Sequence, residues 1–213
     1  MHDDVPPAVR SAYPLVVAGF CSLLLVSNVA AVKLVGIGPL TFDGGAVLFP
    51  LTYILGDVLS EVWGFRAARR AIVLGFVLSV LASGVWAVVQ VAPSATGWDG
   101  QGAYEAILGF VPRIVAASLA GYLLGQLVNA WVLVRLKAAM RGRALWARLI
   151  VSTVFGELVD TAVFCAVAFY GVIEGLQFAG YVAVGYVYKC VVEVFLLPAT
   201  YAAVRVTRRH EAN

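Results

Sequence analysis

Charge is scarce in this 213-residue chain: 13% of it is Asp, Glu, Lys or Arg, against 62% hydrophobic residues and a mean hydropathy of +0.93. So little polar surface cannot cover a soluble core, which makes lipid the solvent. Histidine is nearly missing, with only His2 and His210, both in the tails. That removes the usual soft-metal ligand from the apolar interior, and neither a metal nor a cofactor is expected. The three cysteines, Cys21, Cys165 and Cys190, are an odd number inside apolar segments, which reads as small packing residues rather than a disulfide framework. Nothing resembles an ATP-binding motif, and no enzyme activity is expected.

What is there is a series of apolar stretches at about 13–34, 44–63, 72–92, 110–136, 149–170 and 181–204. At ~1.5 Å per residue, ~20 apolar residues cross ~30 Å of hydrocarbon, so the spacing predicts one all-α domain of six transmembrane helices over 1–213. The first stretch follows Asp3, Asp4, Pro6 and Pro7 and is too long for a signal-peptide core. It is read as a retained helix, with the mature chain beginning near Met1. Arg10; Arg66, Arg69 and Arg70; Arg135, Lys137, Arg141, Arg143 and Arg148; and Arg205, Arg208 and Arg209 are 12 of the 15 basic residues. All fall on one side if helices alternate, which predicts cytoplasmic termini in a multi-pass membrane protein. The formal charge of +3 is then topology signal and headgroup attraction rather than a nucleic-acid footprint.

Seven ionisable residues remain in or near the apolar stretches: Lys33, Asp57, Glu61, Glu157, Asp160, Lys189 and Glu193. Each costs at least ~2.5–3.5 kcal/mol at a helix centre, so the expectation is a protein-lined polar cavity. Glu157, Asp160, Lys189 and Glu193 fall deep, Asp57 in the cytoplasmic half of its helix, and Glu61 and Lys33 near opposite ends, where each could instead snorkel to its interface. Phe49, Tyr53, Asp57 and Glu61 form a stripe at every fourth residue, and so do Gly185, Lys189 and Glu193; Glu157 and Asp160 share a face at i, i+3. An intrahelical Lys189–Glu193 pair is an open alternative. Five carboxylates to two lysines leave an excess that must be protonated, meet a cation or await a donor-rich ligand, which points to transport or binding.

Pro50, in a stretch opening with Gly44-Gly45, predicts a break near Phe49, with Pro50 opening the helix that carries Tyr53 and Asp57. Broken helices often line transporter sites, although a kink that only shapes packing remains open. Gly121-x-x-x-Gly125, with Gln126 and Asn129 beside it, suits close helix approach, within one chain first and in a homodimer second. The three-plus-three arrangement, each half with an acidic pair in its middle helix, is faintly that of an inverted repeat.

The run Asn28-x-x-Ala31-x-Lys33, then Gly45-x-x-x-Phe49-Pro50-Leu51-x-Tyr53-x-x-x-Asp57-x-x-x-Glu61-x-x-Gly64, then Ala68-Arg69 and Ile72, strongly resembles the queuosine-precursor transporter family, also described as a vitamin uptake transporter family. Asp160 with Phe164, and Lys189 before Pro198 and Tyr201, resemble its second half. The resemblance implies a six-helix fold similar to the substrate-binding subunits of energy-coupling-factor transporters, and import of 7-cyano-7-deazaguanine or its aminomethyl relative for queuosine salvage. A guanine-like ring offers N1–H and an exocyclic amine as adjacent donors to one carboxylate, and flat faces to aromatic rings. Asp160 or Glu157 first, and Asp57 second, are expected to take the donor edge. Phe49, Tyr53, Phe164 or Tyr188 would stack, and Asn28, Lys189 or Gln126 would donate to the carbonyl.

Three rivals compete. A proton- or cation-coupled carrier of another nucleobase- or vitamin-like solute fits the excess of acids equally well. A vitamin-binding subunit energised by a separate ATPase partner is the second. An intramembrane aspartyl protease is the third, and the lack of Gly-x-Gly-Asp around Asp57 argues against it.

Overall fold

A computed structural model of the chain describes residues 11–38, 40–140, 145–173 and 175–212, with the side chains of 133, 137 and 145–150 excepted. Arg10, Arg141 and Arg143 of the basic set lie outside the described residues, as do the side chains of Lys137 and Arg148. The first helix, α1, runs Tyr13–Ala30, and a β-hairpin follows, β1 (Leu34–Ile37) paired antiparallel with β2 (Leu40–Asp43). A 3-10 turn, Gly44–Val47, leads into α2 (Phe49–Trp63) and α3 (Phe65–Gln90). The rest is helical: α4 (Gln101–Leu108), α5 (Val111–Ala139), α6 (Leu145–Phe169) and α7 (Gly175–Glu211).

Five of these helices, α1, α3, α5, α6 and α7, are long and apolar enough to cross a membrane. The sixth apolar helix, α2, has 15 residues, or ~22 Å of rise, and falls short of a full bilayer by itself. Pro14, Pro50 and Pro112 each stand in the first turn of a helix, where the missing N–H has no partner to lose. Pro50 therefore opens α2 as expected, and the chain before it is irregular.

The boundaries depart from the sequence expectation in four places. The stretch expected as helix to residue 34 ends at Ala30, and the hairpin takes Leu34–Ile37 because Gly36 and Gly38, the latter at φ 57°, favour a tight return over a helix. Arg66, Arg69 and Arg70 lie in the first turns of α3 and not in a loop, since a helix continues past the bilayer once its charged side chains reach water. The short α4 occupies an expected loop. α7 has 37 residues, ~55 Å long, and so exceeds the ~30 Å hydrocarbon layer at one or both ends.

Contacts at the two ends fix the direction of the helices. Glu211, ending α7, accepts from Ser11 Oγ (3.1 Å), the Ala12 backbone N–H (2.6 Å) and Trp63 Nε1 (3.2 Å), which brings the start of α1 and the ends of α2 and α7 together. At the other end, Arg113 near the start of α5 donates to the carbonyls of Val167 and Tyr170 at the end of α6, at 2.7 and 2.6 Å. Gly64, at φ 83°, makes the reversal between α2 and α3.

Apolar packing divides into two cores. One joins Phe20 and Cys21 of α1 to Leu59 of α2 and to Ala68 and Ala71 of α3. The other joins Ala31, Ile114, Ala117, Cys165, Ala168, Phe169 and Tyr181, and thus α5, α6 and α7. Among the described residues the α5–α6 contact is the most extensive between helices. Between helices in lipid no water is expelled, so small residues that admit close contact supply the attraction.

Candidate functional site

Gly121 and Gly125 of α5 face Asp160 of α6, and Gly156 of α6 faces Asn129 of α5. A Cβ added at position 121 would stand 2.8 Å from the Asp160 carbonyl oxygen and 2.9 Å from its Oδ1. At position 125 it would meet the Asp160 Cβ at 2.8 Å. The small-residue motif therefore works inside one chain, and it seats the backbone of Asp160.

Lys189 of α7 reaches across to that carboxylate and forms a close ion pair with Asp160 Oδ2. Its Nζ is 3.8 Å from Glu157 Oε2, near enough for charge attraction but too far for a hydrogen bond. The same ammonium lies 5.5 Å from the centroid of the Phe49 ring, within cation–π range. The pair thus runs between helices, to Asp160 and Glu157, and the intrahelical Lys189–Glu193 bond does not form. Spacing along one helix offered Glu193; packing of α6 against α7 offered nearer carboxylates.

Beside Lys189, the acids of α2 and α7 converge. The Tyr53 hydroxyl lies next to the Glu193 carboxylate, and Asp57 and Glu157 are close enough to act on it. Glu193 likewise acts on Asp57 and Glu157. Asp160 and Glu157 thus face Lys189, and Asp57 and Glu193 gather beside them around Tyr53. Glu157 Oε2, Thr161 Oγ1 and Asn129 Oδ1 are buried without a hydrogen-bond partner among the described residues. Buried acceptors in this state cost free energy until a donor arrives, and this face of α6 favours a ligand rich in N–H groups.

Other candidates from the sequence sit elsewhere. Asn28 is buried and donates from Nδ2 to Ser79 Oγ at 3.2 Å, so its amide binds α1 to α3. Lys33 and Gln126 are exposed. Glu61 is exposed and meets Arg208 Nη2 at 3.2 Å, in the contact between the ends of α2 and α7. Phe164 packs edge-on against Phe169 at 6.0 Å, in the α5–α6–α7 core. Phe49, Tyr53, Asp57, Glu157, Asp160, Lys189 and Glu193 come together, with Tyr188 next in the chain.

Sequence reasoning passed over the hairpin. Asp43 accepts a 2.9 Å hydrogen bond from the Tyr181 hydroxyl, and Tyr188 donates to the Ala46 carbonyl at 2.9 Å. Phe42 lies parallel to Tyr188. An acid followed by Gly44-Gly45 between two apolar stretches was the available signal, hidden because that segment read as connection. Two surface grooves of about 480 and 430 Å3, along Val80–Val89 of α3 and Tyr201–Ala212 of α7, lie away from these charges. Converging charge, not cavity shape, marks the site.

Helices long enough to span, with ionisable side chains drawn together between α2, α6 and α7, define a multi-pass membrane protein of the transporter class. Residues 43–203 match the family described as "Putative vitamin uptake transporter", and the chain belongs to this vitamin uptake transporter family. It is 31% identical over 188 residues to the "Probable queuosine precursor transporter" of Bacillus subtilis (strain 168), covering 88% of this chain and 82% of that one. It is 33% identical over 126 residues to the "Queuosine precursor transporter" of Escherichia coli (strain K12), covering 59% of this chain and 54% of the relative. A third relative, the "Probable queuosine precursor transporter" of Haemophilus influenzae, is 26% identical over 163 residues, 75% and 67% of the two chains. No solved structure matches the chain. The family and the spans together place it in the bacterial inner membrane, crossing several times.

Proposed function

We propose that this chain carries queuosine precursors, 7-cyano-7-deazaguanine or its 7-aminomethyl relative, into the cell, with the site between α2, α6 and α7. The observation that carries the reading is Glu157: a buried carboxylate oxygen without a hydrogen-bond partner among the described residues, one helical turn from an Asp160 already held by Lys189. A 7-deazaguanine presents N1–H and an exocyclic amine side by side, which one carboxylate accepts in a two-pronged contact. Glu157 takes that edge, and Lys189 is placed to donate to the ring carbonyl. The names of the three relatives agree with this substrate.

The start of α1, the ends of α2 and α7 and the arginines of α3 share one end of the bundle, which supports six alternating spans with both termini cytoplasmic. A fold similar to the substrate-binding subunits of energy-coupling-factor transporters is part of the proposal. A second reading is favoured by Asp57 and Glu193, two further acids beside the Glu157–Asp160–Lys189 group: a proton or cation accompanies the solute.

Uptake of labelled 7-cyano-7-deazaguanine into cells that cannot make it tests the reading. Asp57→Asn and Asp160→Asn are each expected to abolish uptake at normal membrane abundance, and normal uptake by both removes the site assignment. Collapse of wild-type uptake on adding an uncoupler adds the coupled ion. Uptake indifferent to every deazapurine leaves only a carrier of some other solute.

A further inference from the structure

The hairpin supplies one ring of the one parallel aromatic pair among the described residues. Phe42 of β2 and Tyr188 of α7 have ring planes within 3° of each other and centroids 6.3 Å apart. The other ring pairs are tilted or edge-on, at 40° to 90°. Hydrogen bonds hold this pair from both sides: the Tyr188 hydroxyl donates to the Ala46 carbonyl, and the Tyr181 hydroxyl donates to Asp43, next to Phe42, each at 2.9 Å. Tyr181 and Tyr188, seven residues apart, share a face of α7.

The pair borders the charged site. Tyr188 precedes Lys189, and Phe49, under the Lys189 ammonium, follows the turn that contains Ala46. Asp43 acts electrostatically on Tyr188 and on Cys165, which also feels Asp160 and Lys189.

We propose that Phe42 and Tyr188 are the two jaws of a clamp for the flat face of a planar nitrogen heterocycle, whose polar edge is taken by Glu157, Asp160 and Lys189. The proposal rests on the reading of that site given under Proposed function, and it adds Phe42 and the hairpin to it. Two ring-to-ring contacts of ~3.5 Å require ring planes ~7 Å apart, and centroids 6.3 Å apart hold the present planes no further apart than that, so the jaws open on binding. The hairpin can supply that movement. Two short strands are only marginally stable alone, its tip at Gly36, Ile37, Gly38 and Leu40 is exposed, and its base is fixed by Asp43 and by the Gly44 N–H bonded to the Lys33 carbonyl at 2.8 Å. The clamp selects for flatness and the carboxylates for donors, which excludes puckered sugars.

The test is binding to the purified full-length protein in lipid nanodiscs, by titration with 7-cyano-7-deazaguanine, guanine and a pterin. Phe42→Leu and Tyr188→Leu keep apolar bulk and remove the ring. Each is expected to weaken binding at least about fivefold, in line with loss of one stacking partner. Phe42→Tyr and Tyr188→Phe keep the ring and are expected to stay within about threefold of wild type on the same scale. Leucine variants that bind like wild type while Asp160→Asn weakens overturn the clamp and leave the charged site standing. A Tyr188→Phe variant as weak as Tyr188→Leu also overturns it, because the hydroxyl and not the ring then matters. Binding of the pterin but of no deazaguanine, lost in the leucine variants, upholds the clamp and removes the queuosine-precursor reading. No binding of any flat heterocycle removes both.

Discussion

Replacing Gly125 by alanine places a methyl group 2.8 Å from the Asp160 Cβ and 2.9 Å from the Gly156 carbonyl oxygen. Carbon contacts settle at ~3.5–4.0 Å, so α5 and α6 must part by roughly 0.7 Å or more where Asp160 is seated. The neighbours are backbone or Cβ atoms, which cannot rotate away. Overpacking of this kind costs ~1–3 kcal/mol. In lipid, close contact of small residues is itself the attraction between helices, so the upper part of that range is expected. Separation also draws the Asp160 carboxylate away from Lys189, and ligand affinity should fall with stability. Gly84 of α3 is the control: nothing lies within 4 Å of a Cβ there, and alanine should be neutral or stabilising by up to ~1 kcal/mol through helix propensity. Melting of the two variants in one detergent–lipid mixture is the assay. A Gly125→Ala protein that melts at or above the wild-type temperature would refute the packing argument.

Lys189→Met leaves Asp160 and Glu157 without their cation. With about a fifth of each side chain exposed, the loss should fall at or below the low end of the ~3–5 kcal/mol seen for fully buried pairs, and adding Asp160→Asn should recover part of it. A double variant whose loss equals the sum of the singles in a melting cycle would show that the pair is not coupled. Glu61→Gln breaks an exposed pair with Arg208, worth at most ~1 kcal/mol, and should leave ligand affinity as it was. Loss of binding in that variant would return Glu61 to the site. Asn28→Ala removes the bond to Ser79 and should cost ~1–2 kcal/mol in melting with unchanged affinity.

Hydropathy located most of the spans, and Pro50 located the start of α2, because a proline without an N–H is best placed in a first turn. The same windows stop where charge begins, so they ended before Arg66, Arg69 and Arg70 and before the C-terminal turns of α7, although the backbone there remains helical. The hairpin was hidden for a different reason: Leu34-Val35-Gly36-Ile37 is as apolar as a helix end, and only pairing with Leu40–Asp43 makes it a strand. For the site, spacing put Glu157 and Asp160 on one face and Lys189 on another helix. It could not say that α6 would present Asp160 to Lys189 ahead of Glu193, since that depends on how closely Gly121 and Gly125 let α5 and α6 approach. Asn28, Lys33, Glu61 and Gln126 share apolar neighbourhoods with the site in sequence, and in space they serve helix contacts or face outward.

Thermal stabilisation of the purified protein by a panel of 7-deazaguanines, guanine and unrelated vitamins tests the central claim most directly, because a ligand that binds the folded state raises its melting temperature in proportion to the logarithm of its concentration over Kd. The account predicts a concentration-dependent rise with 7-cyano-7-deazaguanine or its aminomethyl relative, absent with the vitamins and lost in Asp160→Asn and Glu157→Gln. No rise with any deazaguanine, or an undiminished rise in both variants, would contradict it.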